Sequence, residues 1–135
     1  MMKFERCTNI SLVPKHLVEQ LSNDFNTDDF YGYMSVALTS PTQMLFLLLS
    51  EDNVICGFLW CEINILEKVI FINILSIDKA LWGNGEMVDF ATDFLKDIFT
   101  ELNLKKAVWI TDKPTLFEKR GFKKSKSFLM EYTGE

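Results

Sequence analysis

The stretch "LSIDKALWGNGEMVDFATDFL", from Leu75 to Leu95, decides the fold of this chain. An apolar run ends, two glycines follow one residue apart, and an amphipathic segment begins at once. Apolar residues then recur at helical spacing from Met87 to Leu102, with acidic residues on the other side, so the pattern predicts a long helix packed against a sheet. Backbone amides at the start of such a helix form a natural anion site.

The same stretch places a carboxylate, Glu86, in the first turn of the predicted helix. Its negative charge either caps the helix in the ligand-free protein or occupies the space that a phosphate group needs. The function of the chain depends on which of these two roles Glu86 has.

Length and composition indicate one folded domain. The chain has 135 residues, of which 48% are hydrophobic, enough for a single core and too few for two ordinary domains. The longest apolar run, "MLFLLLS" at residues 44–50, is too short to span a bilayer. The first residues, "MMKFERCTN", lack the apolar stretch of a signal peptide. We therefore expect a cytoplasmic protein without a membrane partner.

Cysteine and histidine content argues against a metal site. Cys7, Cys56 and Cys61 have no metal-binding spacing, and free cysteines are most often buried and inert. His16 is the one histidine in the chain, so no Ser/His/Asp or Cys/His set can be built. We predict no bound metal.

Charge is distributed unevenly along the chain. Residues 1–104 carry 6 Lys or Arg against 15 Asp or Glu, a net charge of −9, whereas residues 105–135 carry 8 against 4, a net charge of +4. The basic end is either an ordinary solvated face or a surface for nucleic acid, an acidic partner or cofactor phosphates. The acidic body makes nucleic acid the weakest of these, and we predict no nucleic-acid partner.

The remaining patterns predict a β-α-α-β-β-β-α-β-α-β order within a single α/β domain over residues 1–135. Two hairpins are indicated, with turns at Glu51–Asn53 and Leu66–Lys68, and "FKKSKSFLMEY" at residues 122–132 is predicted to close the chain as a strand. The sheet is therefore mixed and mainly antiparallel, with helices on its faces. The edge of the last strand, "SFLMEY", offers a surface for a homodimer.

Three stretches resemble motifs of a known family. "NVICGFLW" at residues 53–60 resembles a turn followed by a glycine-containing strand. "LSIDKALWGNGEM" at 75–87 resembles a cofactor motif in which a strand leads to Arg/Gln-Gly-x-Gly-x-Gly/Ala, and "TLFEKRGFKK" at 115–124 resembles a late Tyr-Glu-Lys-x-Gly-Phe motif. Together with the element order, they make most of the chain similar to the GNAT N-acyltransferase superfamily. "WITDKPTLFEKRGF" at 109–122 also looks like small GNAT-like proteins of bacteriophages.

This resemblance implies a cosubstrate, a substrate class and a binding site. GNAT enzymes usually move an acetyl group from acetyl-CoA to an amine, here one on a small molecule or a peptide. The centre of the sheet is expected to split between "NILSID" and "AVWIT", so that the pantetheine arm of the coenzyme lies between two strands. The implied coenzyme-binding residues are Ser76, Ile77, Trp82, Gly83, Asn84, Gly85, Glu86, Met87 and Phe117.

The chain departs from the family pattern at the coenzyme motif. Trp82 stands where the family prefers Arg or Gln, and Met87 stands where it prefers Gly or Ala. Glu86 repels a nearby diphosphate by about 1 kcal/mol, or more if the site is dry. Basic residues of the last segment are expected to offset this repulsion by meeting the 3′-phosphate: Lys113, Lys119, Arg120, Lys123 and Lys124.

Acid–base chemistry is the second departure. Transfer to an amine requires a group that takes the amine proton and one that protonates the leaving thiolate. The family often uses a tyrosine of the late motif as the acid, and the matching residue here is Phe117. The base candidates are Asp78, Glu62 or Glu67, directly or through a water, although a turn or edge carboxylate has no need of a catalytic role.

Two functions of different class remain open on the sequence. The first is an acetyl-CoA-dependent N-acyltransferase, in which positioning and a backbone amide near Ile77 that polarises the thioester supply much of the rate. The second is a GNAT-shaped protein without catalytic activity that binds a macromolecular partner through its basic C-terminal face.

Overall fold

The computed structural model describes residues 2–21, 26–83, 85–111 and 113–134. The strands are β1 (Lys3–Cys7), β2 (Gln43–Leu49), β3 (Ile55–Asn64), β4 (Val69–Ile77) and β5 (Lys106–Trp109). The helices are α1 (Lys15–Glu19), α2 (Thr27–Ala37), α3 (Glu86–Glu101) and α4 (Pro114–Glu118), with 3-10 turns at Ile10–Leu12 and Lys79–Leu81.

The five strands form one sheet in the order β1-β2-β3-β4-β5. The first four strands pair antiparallel, whereas β5 pairs parallel to β4 after the crossover through α3. A parallel pair requires such a crossover, and a helix usually provides it. The predicted fold class, a mixed and mainly antiparallel sheet flanked by helices, is confirmed.

The core lies on both faces of the sheet. One face carries α1 and α2, where Leu17, Met34 and Phe58 are fully buried together. The other face carries α3, where Leu95 and Ile98 pack on Leu59 and Ile70. The amphipathic pattern of the long helix and the alternation along β3 together produce this two-sided burial.

β4 contains an irregularity at the point where β5 ends. Cys61 of β3 lies opposite Ile72, but the preceding Trp60 lies opposite Ile74, so Asn73 is an extra residue on β4. The pairing with β5 also stops here, at Ile72 opposite Trp109. Beyond this bulge β4 continues to Ile77 without β5 beside it, so the sheet opens where the sequence predicted a split.

The C-terminal segment differs from its prediction. Residues 122–134 form no strand and pair with none of the five strands. Phe128, Leu129, Met130 and Tyr132 are between 68% and 93% exposed. The alternation in this segment is imperfect, and the segment does not pair with the free edge of β5. The predicted closing strand is therefore wrong.

Membrane insertion is not supported by any described helix, since none combines the length and apolar content that a bilayer span requires. Within the same described ranges, no group of three or more His, Cys, Asp or Glu side chains is placed to hold a metal ion. Cys7, Cys56 and Cys61 are free and buried, as predicted. Burial raises the pKa of the Cys61 thiol to about 12.

Gly57 of β3 is a position where an added methyl group would collide with the backbone of the next strand. A Cβ there would lie 2.8 Å from the backbone oxygen of Ser76 and 3.3 Å from Leu48 Cβ. We expect Gly57→Ala to lower the free energy of unfolding by about 1–3 kcal/mol, because the neighbouring strand must shift. Urea unfolding measures this loss.

Gly32→Ala is the matched control for that substitution. Gly32 lies in α2, and a methyl group added there would have nothing within 4 Å, so alanine raises stability by roughly 0.5–1 kcal/mol. Equal stability of the two variants would contradict the close strand packing described for Gly57.

Candidate functional site

A cleft of about 440 Å³ opens where β4 and β5 separate. Leu75 and Ile77 of β4 form one wall, and Trp109 at the end of β5 stands opposite. The loop before α3 and the first turn of that helix form the floor, through Trp82, Gly83, Gly85, Met87 and Val88. Thr111, Lys113, Leu116 and Phe117 complete the far wall. The cleft therefore joins the open edge of the sheet to a helix start.

The start of α3 is built for close approach to its backbone. Gly85, the N-cap, has φ 79° in the left-handed region, and Gly83 has φ 137°. Glycine adopts these conformations without the penalty that a Cβ brings. Gly85 also offers no capping side chain, and a helix has no internal partners for the amides of its first turn. An anion in the cleft would meet these amides and the positive end of the helix dipole.

Arg120 ties α4 to the start of α3. Its guanidinium donates to Asp89 Oδ1 at 2.6 Å, to the Leu116 carbonyl at 2.5 Å and to the Gly85 carbonyl at 3.2 Å. The Arg120 side chain is only 14% exposed, so this cation is held against the helix start. The crosslink fixes the far wall of the cleft relative to the glycine turn.

The basic residues predicted to meet a 3′-phosphate are spread over different positions. Lys113 lines the cleft, and Arg120 is engaged with α3. Lys119, Lys123 and Lys124 are exposed, and the cleft lining does not include them. Their contact with a phosphate stays a prediction.

Trp82 lines the cleft and does not fill it. The indole Nε1 donates to the Ile77 carbonyl at 2.8 Å, and the residue is 60% exposed. The Lys79 ammonium lies 5.9 Å from the centre of the indole ring. The hydrogen bond to the end of β4 holds the ring at the mouth, where it forms an apolar side in place of the family's polar residue.

The far wall is aromatic where the family often has its acid. Phe117 is buried, with its ring centroid 4.2 Å from that of Trp109 and 5.8 Å from that of Phe122. A phenyl ring has no proton to donate, so the structure places an apolar surface at this position. Sequence reasoning identified Phe117 but not Trp109, because no local motif marks the last residue of a short strand.

The other predicted coenzyme-binding residues have different positions. Ile77, Gly83, Gly85 and Met87 line the cleft, whereas Asn84 lies outside the described residues. Glu86 is exposed at the first turn. The Ser76 side chain points to the opposite face, where it donates to the Leu17 carbonyl at 2.7 Å and accepts from Gln20 Nε2 at 2.8 Å. Ser76 can therefore meet a ligand in the cleft only through its backbone.

Asp78 closes the end of β4. One carboxylate oxygen accepts from the Ala80 amide at 3.1 Å, and the other lies 3.2 Å from His16 Nε2. The Ala80 hydrogen bond is the main cause that holds the pKa of Asp78 below its ordinary value; desolvation opposes it, and the hydrogen bond and charge of His16 lower the pKa further. A base with a lowered pKa accepts protons poorly near neutral pH. Its catalytic role stays a prediction, and the geometry gives it a capping role.

The lowered pKa of Asp78 makes stability depend on pH. A carboxyl with a lower pKa when folded stabilises the protein above its unfolded pKa and loses that contribution as pH falls through the folded value. We expect Asp78→Asn to be less stable than wild type at pH 6, with the difference disappearing in strong acid. Urea unfolding at pH 6 and at about pH 2, below the ordinary and the lowered pKa, tests this, and an undiminished difference at the lower pH would contradict it.

Glu62, the second base candidate, lies on the other face of the sheet. It pairs in register with Gln43 and Phe71 and points to the same side as Trp60, which packs against α2. Glu62 lines a second cavity of about 530 Å³. Glu67 is exposed in the β3–β4 turn, with its amide bonded to Asn64 Oδ1. The three candidate bases therefore lie in different places: Asp78 at the end of β4, Glu62 in the second cavity and Glu67 in an exposed turn.

Solved acetyltransferase structures have the same architecture. A predicted acetyltransferase from Clostridium acetobutylicum, solved with acetyl-CoA, is similar with a TM-score of 0.73 at 16% identity, over 98% of this chain and 96% of that one. Glucosamine-6-phosphate N-acetyltransferase from Arabidopsis thaliana gives 0.70 at 15%, over 100% and 99%. The chain has the GNAT fold.

A third GNAT-fold structure is AAC(6')-Iy in complex with a bisubstrate analogue, CoA-S-monomethyl-acetylneamine. Its TM-score is 0.76 at 13% identity, over 98% of each chain. No protein-family model and no curated protein matches the chain at the level of sequence. The TM-scores establish a shared fold, and identities this low establish nothing beyond the fold. The chemistry therefore depends on the residues of this chain. The resemblance to bacteriophage proteins stays a hypothesis.

Proposed function

We propose that the protein is an acetyl-CoA-dependent N-acyltransferase acting on an amine. The observation that carries this proposal is the cleft between β4 and β5, which ends at the glycine-capped start of α3. An elongated cosubstrate with an apolar arm and a diphosphate matches both ends of the cleft. Solved structures with the same fold include acetyltransferases in complex with acetyl-CoA or CoA, which supports this choice.

The coenzyme would lie with its diphosphate at the amides of Gly85 and Met87 and its pantetheine arm along Leu75 and Ile77. Among the described residues, no strand lies beside β4 on this side beyond Ile72, so the backbone groups of β4 can hydrogen-bond to the pantetheine amides in place of a strand. Trp109 and Phe117 would pack against the apolar part of the arm. Lys113 supplies a positive charge in the cleft lining.

Met87 and Glu86 oppose this binding mode. The Met87 side chain is half-buried in the cleft lining and takes space close to the phosphates. Glu86 adds repulsion of about 1 kcal/mol at an exposed site. Arg120 opposes this effect only in part, because its half-buried guanidinium lies 3.2 Å from the Gly85 carbonyl but is also paired with the Asp89 carboxylate at 2.6 Å. We therefore expect a weakened but real affinity for the coenzyme.

In the proposed reaction the amine nitrogen attacks the thioester carbonyl carbon. A nitrogen–carbon bond forms, the carbon–sulfur bond breaks, the amine loses a proton, and the CoA thiolate gains one. A β4 backbone amide near the bulge or near Ile77 would polarise the carbonyl. We assign the role of base to Glu62 and not to Asp78, because the Asp78 carboxylate is already engaged with the Ala80 amide and His16. The thiolate is a good leaving group and takes its proton from water, since Phe117 has none to give.

Acetyl-CoA titration followed by thermal unfolding tests the proposal. A ligand at 100 times its Kd stabilises the folded state by about 2.7 kcal/mol. For a domain of this size the melting temperature should rise by roughly 8–10 °C. Acetylation of added amines is then measured through the free CoA thiol that the reaction releases. No thermal shift and no heat of binding at millimolar acetyl-CoA would reject the enzyme.

The second candidate function is a catalytically inactive GNAT-fold protein that binds a macromolecule. Phe117 in place of an acid and the exposed C-terminal segment favour it. That segment combines Lys123, Lys124 and Lys126 with the apolar Phe128 and Met130. Binding of acetyl-CoA with no release of CoA thiol in the presence of any tested amine would support this candidate.

Homodimer formation and a cytoplasmic location are further proposals. The exposed apolar residues of "SFLMEY" and the unpaired edge of β5 support self-association, which sedimentation velocity measures directly. Three free cysteines support a reducing compartment such as the cytoplasm.

A further inference from the structure

The second cavity lies on the face of the sheet opposite the coenzyme cleft. Glu62, Phe71 and Asn73 project into it from β3 and β4. Thr42 and Asn64 line its ends. The cavity opens on the side that carries α1 and α2, whereas the cleft opens on the side of α3.

The bulge at Asn73 places the linings of the two cavities two residues apart on β4. Asn73 lines the second cavity, and Leu75, about 7 Å further along β4, lines the cleft. Without the bulge these two residues would point to the same face, because strand side chains alternate. β5 has already ended at Trp109, so among the described residues no neighbouring strand covers this part of β4. The two linings therefore approach each other where the sheet is open.

The charge of the lining restricts the acceptor. Among the described residues, Glu62 is the one ionisable side chain in the lining, and neither lysine nor arginine takes part. A single carboxylate can balance one ammonium group. It cannot neutralise a polyamine, and the lining has no cation for a phosphate. Thr42, Asn64 and Asn73 offer neutral hydrogen-bonding groups, and Phe71 offers an apolar face.

We infer that this cavity is the acceptor site and that it selects primary monoamines with an uncharged body. This inference rests on the proposed function. Glu62 binds the ammonium form of the amine and takes its proton before attack, while Asn73 contacts the body of the acceptor at the point where the two cavities meet. The inference adds a substrate class to the reaction, which the fold does not specify.

Glucosamine, its 6-phosphate and spermine test the selectivity of the site. Glucosamine carries one positive charge, its 6-phosphate adds a negatively charged phosphate, and spermine carries several positive charges. We expect kcat/KM for glucosamine, or for tyramine as a second monoamine, to exceed the values for the 6-phosphate and for spermine at least tenfold. Equal or better use of the phosphorylated or polycationic amine would overturn the inference.

Glu62→Gln and Glu5→Gln form a matched pair of variants. Both remove one carboxylate from a strand, but Glu5 lies on β1 and is exposed outside the cavity lining. Glu62→Gln should lower kcat/KM for monoamines at least tenfold and leave the Kd of acetyl-CoA within twofold. Glu5→Gln should change neither value. Equal effects of the two variants would remove Glu62 from the acceptor site.

Direct binding of the monoamines separates failure of this inference from failure of the proposed function. NMR titration of the asparagine side-chain amides reports amine binding with no coenzyme present. A shift that Glu62→Gln removes would support the amine site even if acetyl-CoA does not bind. No shift and no turnover with any monoamine would overturn the inference even if acetyl-CoA does bind.

Discussion

Gly85→Glu should abolish acetyl-CoA binding. The new carboxylate would stand at the N-cap of α3, where the diphosphate is proposed to bind. At about 4 Å in a partly buried site, repulsion between two unit charges reaches roughly 4 kcal/mol, which lowers affinity about 1000-fold. A Cβ at φ 79° also lies 2.7 Å from Arg120 Nη2 and disturbs the crosslink to α4. Isothermal titration of the purified variant measures the loss.

Gly121→Glu controls for the cost of the substitution itself. Gly121 also has a positive φ, 91°, at the end of α4, but it does not line the cleft. This variant carries the same added charge and also places a side chain at a positive φ, but its Cβ would meet only Lys96 Nζ at 3.7 Å, so it should lose less stability than Gly85→Glu. Its affinity for acetyl-CoA should stay near the wild-type value. If both variants lose binding equally, the glycine turn is not the diphosphate site.

Phe117→Tyr should raise the rate of acetyl transfer. A phenol at this position restores the proton donor that the family often has, and general acid catalysis contributes about 10²-fold or more when the acid is well placed. The ring lines the cleft and is held by Trp109 and Phe122, so a hydroxyl added to it would be carried on a fixed part of the wall. Steady-state release of CoA thiol at saturating acetyl-CoA measures kcat.

Phe122→Tyr is the control for this gain. Phe122 belongs to the same aromatic cluster, with its ring centroid 6.2 Å from that of Trp109 and 5.8 Å from that of Phe117, but it is absent from the cleft lining. It should leave kcat unchanged. Turnover that appears only in Phe117→Tyr would mean that the natural protein binds coenzyme without using it. An unchanged kcat in both variants would show that protonation of the thiolate does not limit the rate.

Much of the fold was predictable because its signals are local. The two hairpin turns, the apolar β4 run and the stripe along α3 each follow from the spacing of a few residues. The glycines at 83 and 85 predicted the turn before α3, and both have a positive φ in the structure. Residues 122–132 misled the prediction because alternation shows that a segment could be a strand but does not supply a partner strand.

The site was less predictable because it depends on residues distant in sequence. Arg120 contacts Gly85 and Asp89 across more than 30 positions, and Gln20 reaches Ser76 and Ile77 across more than 55. The bulge at Asn73 has no residue signature, yet it determines which side chains face which cavity. Trp109 and Thr111 line the cleft only because β5 stops early. Such features follow from tertiary pairing, which sequence periodicity does not encode.

A crystal structure of the protein with acetyl-CoA tests the central claim most directly. We predict electron density for the diphosphate at the amides of Gly85 and Met87, with the pantetheine arm between β4 and β5 and the Trp82 indole at the mouth of the cleft. A cleft that stays empty at saturating coenzyme, or one that the indole fills, would contradict this binding mode.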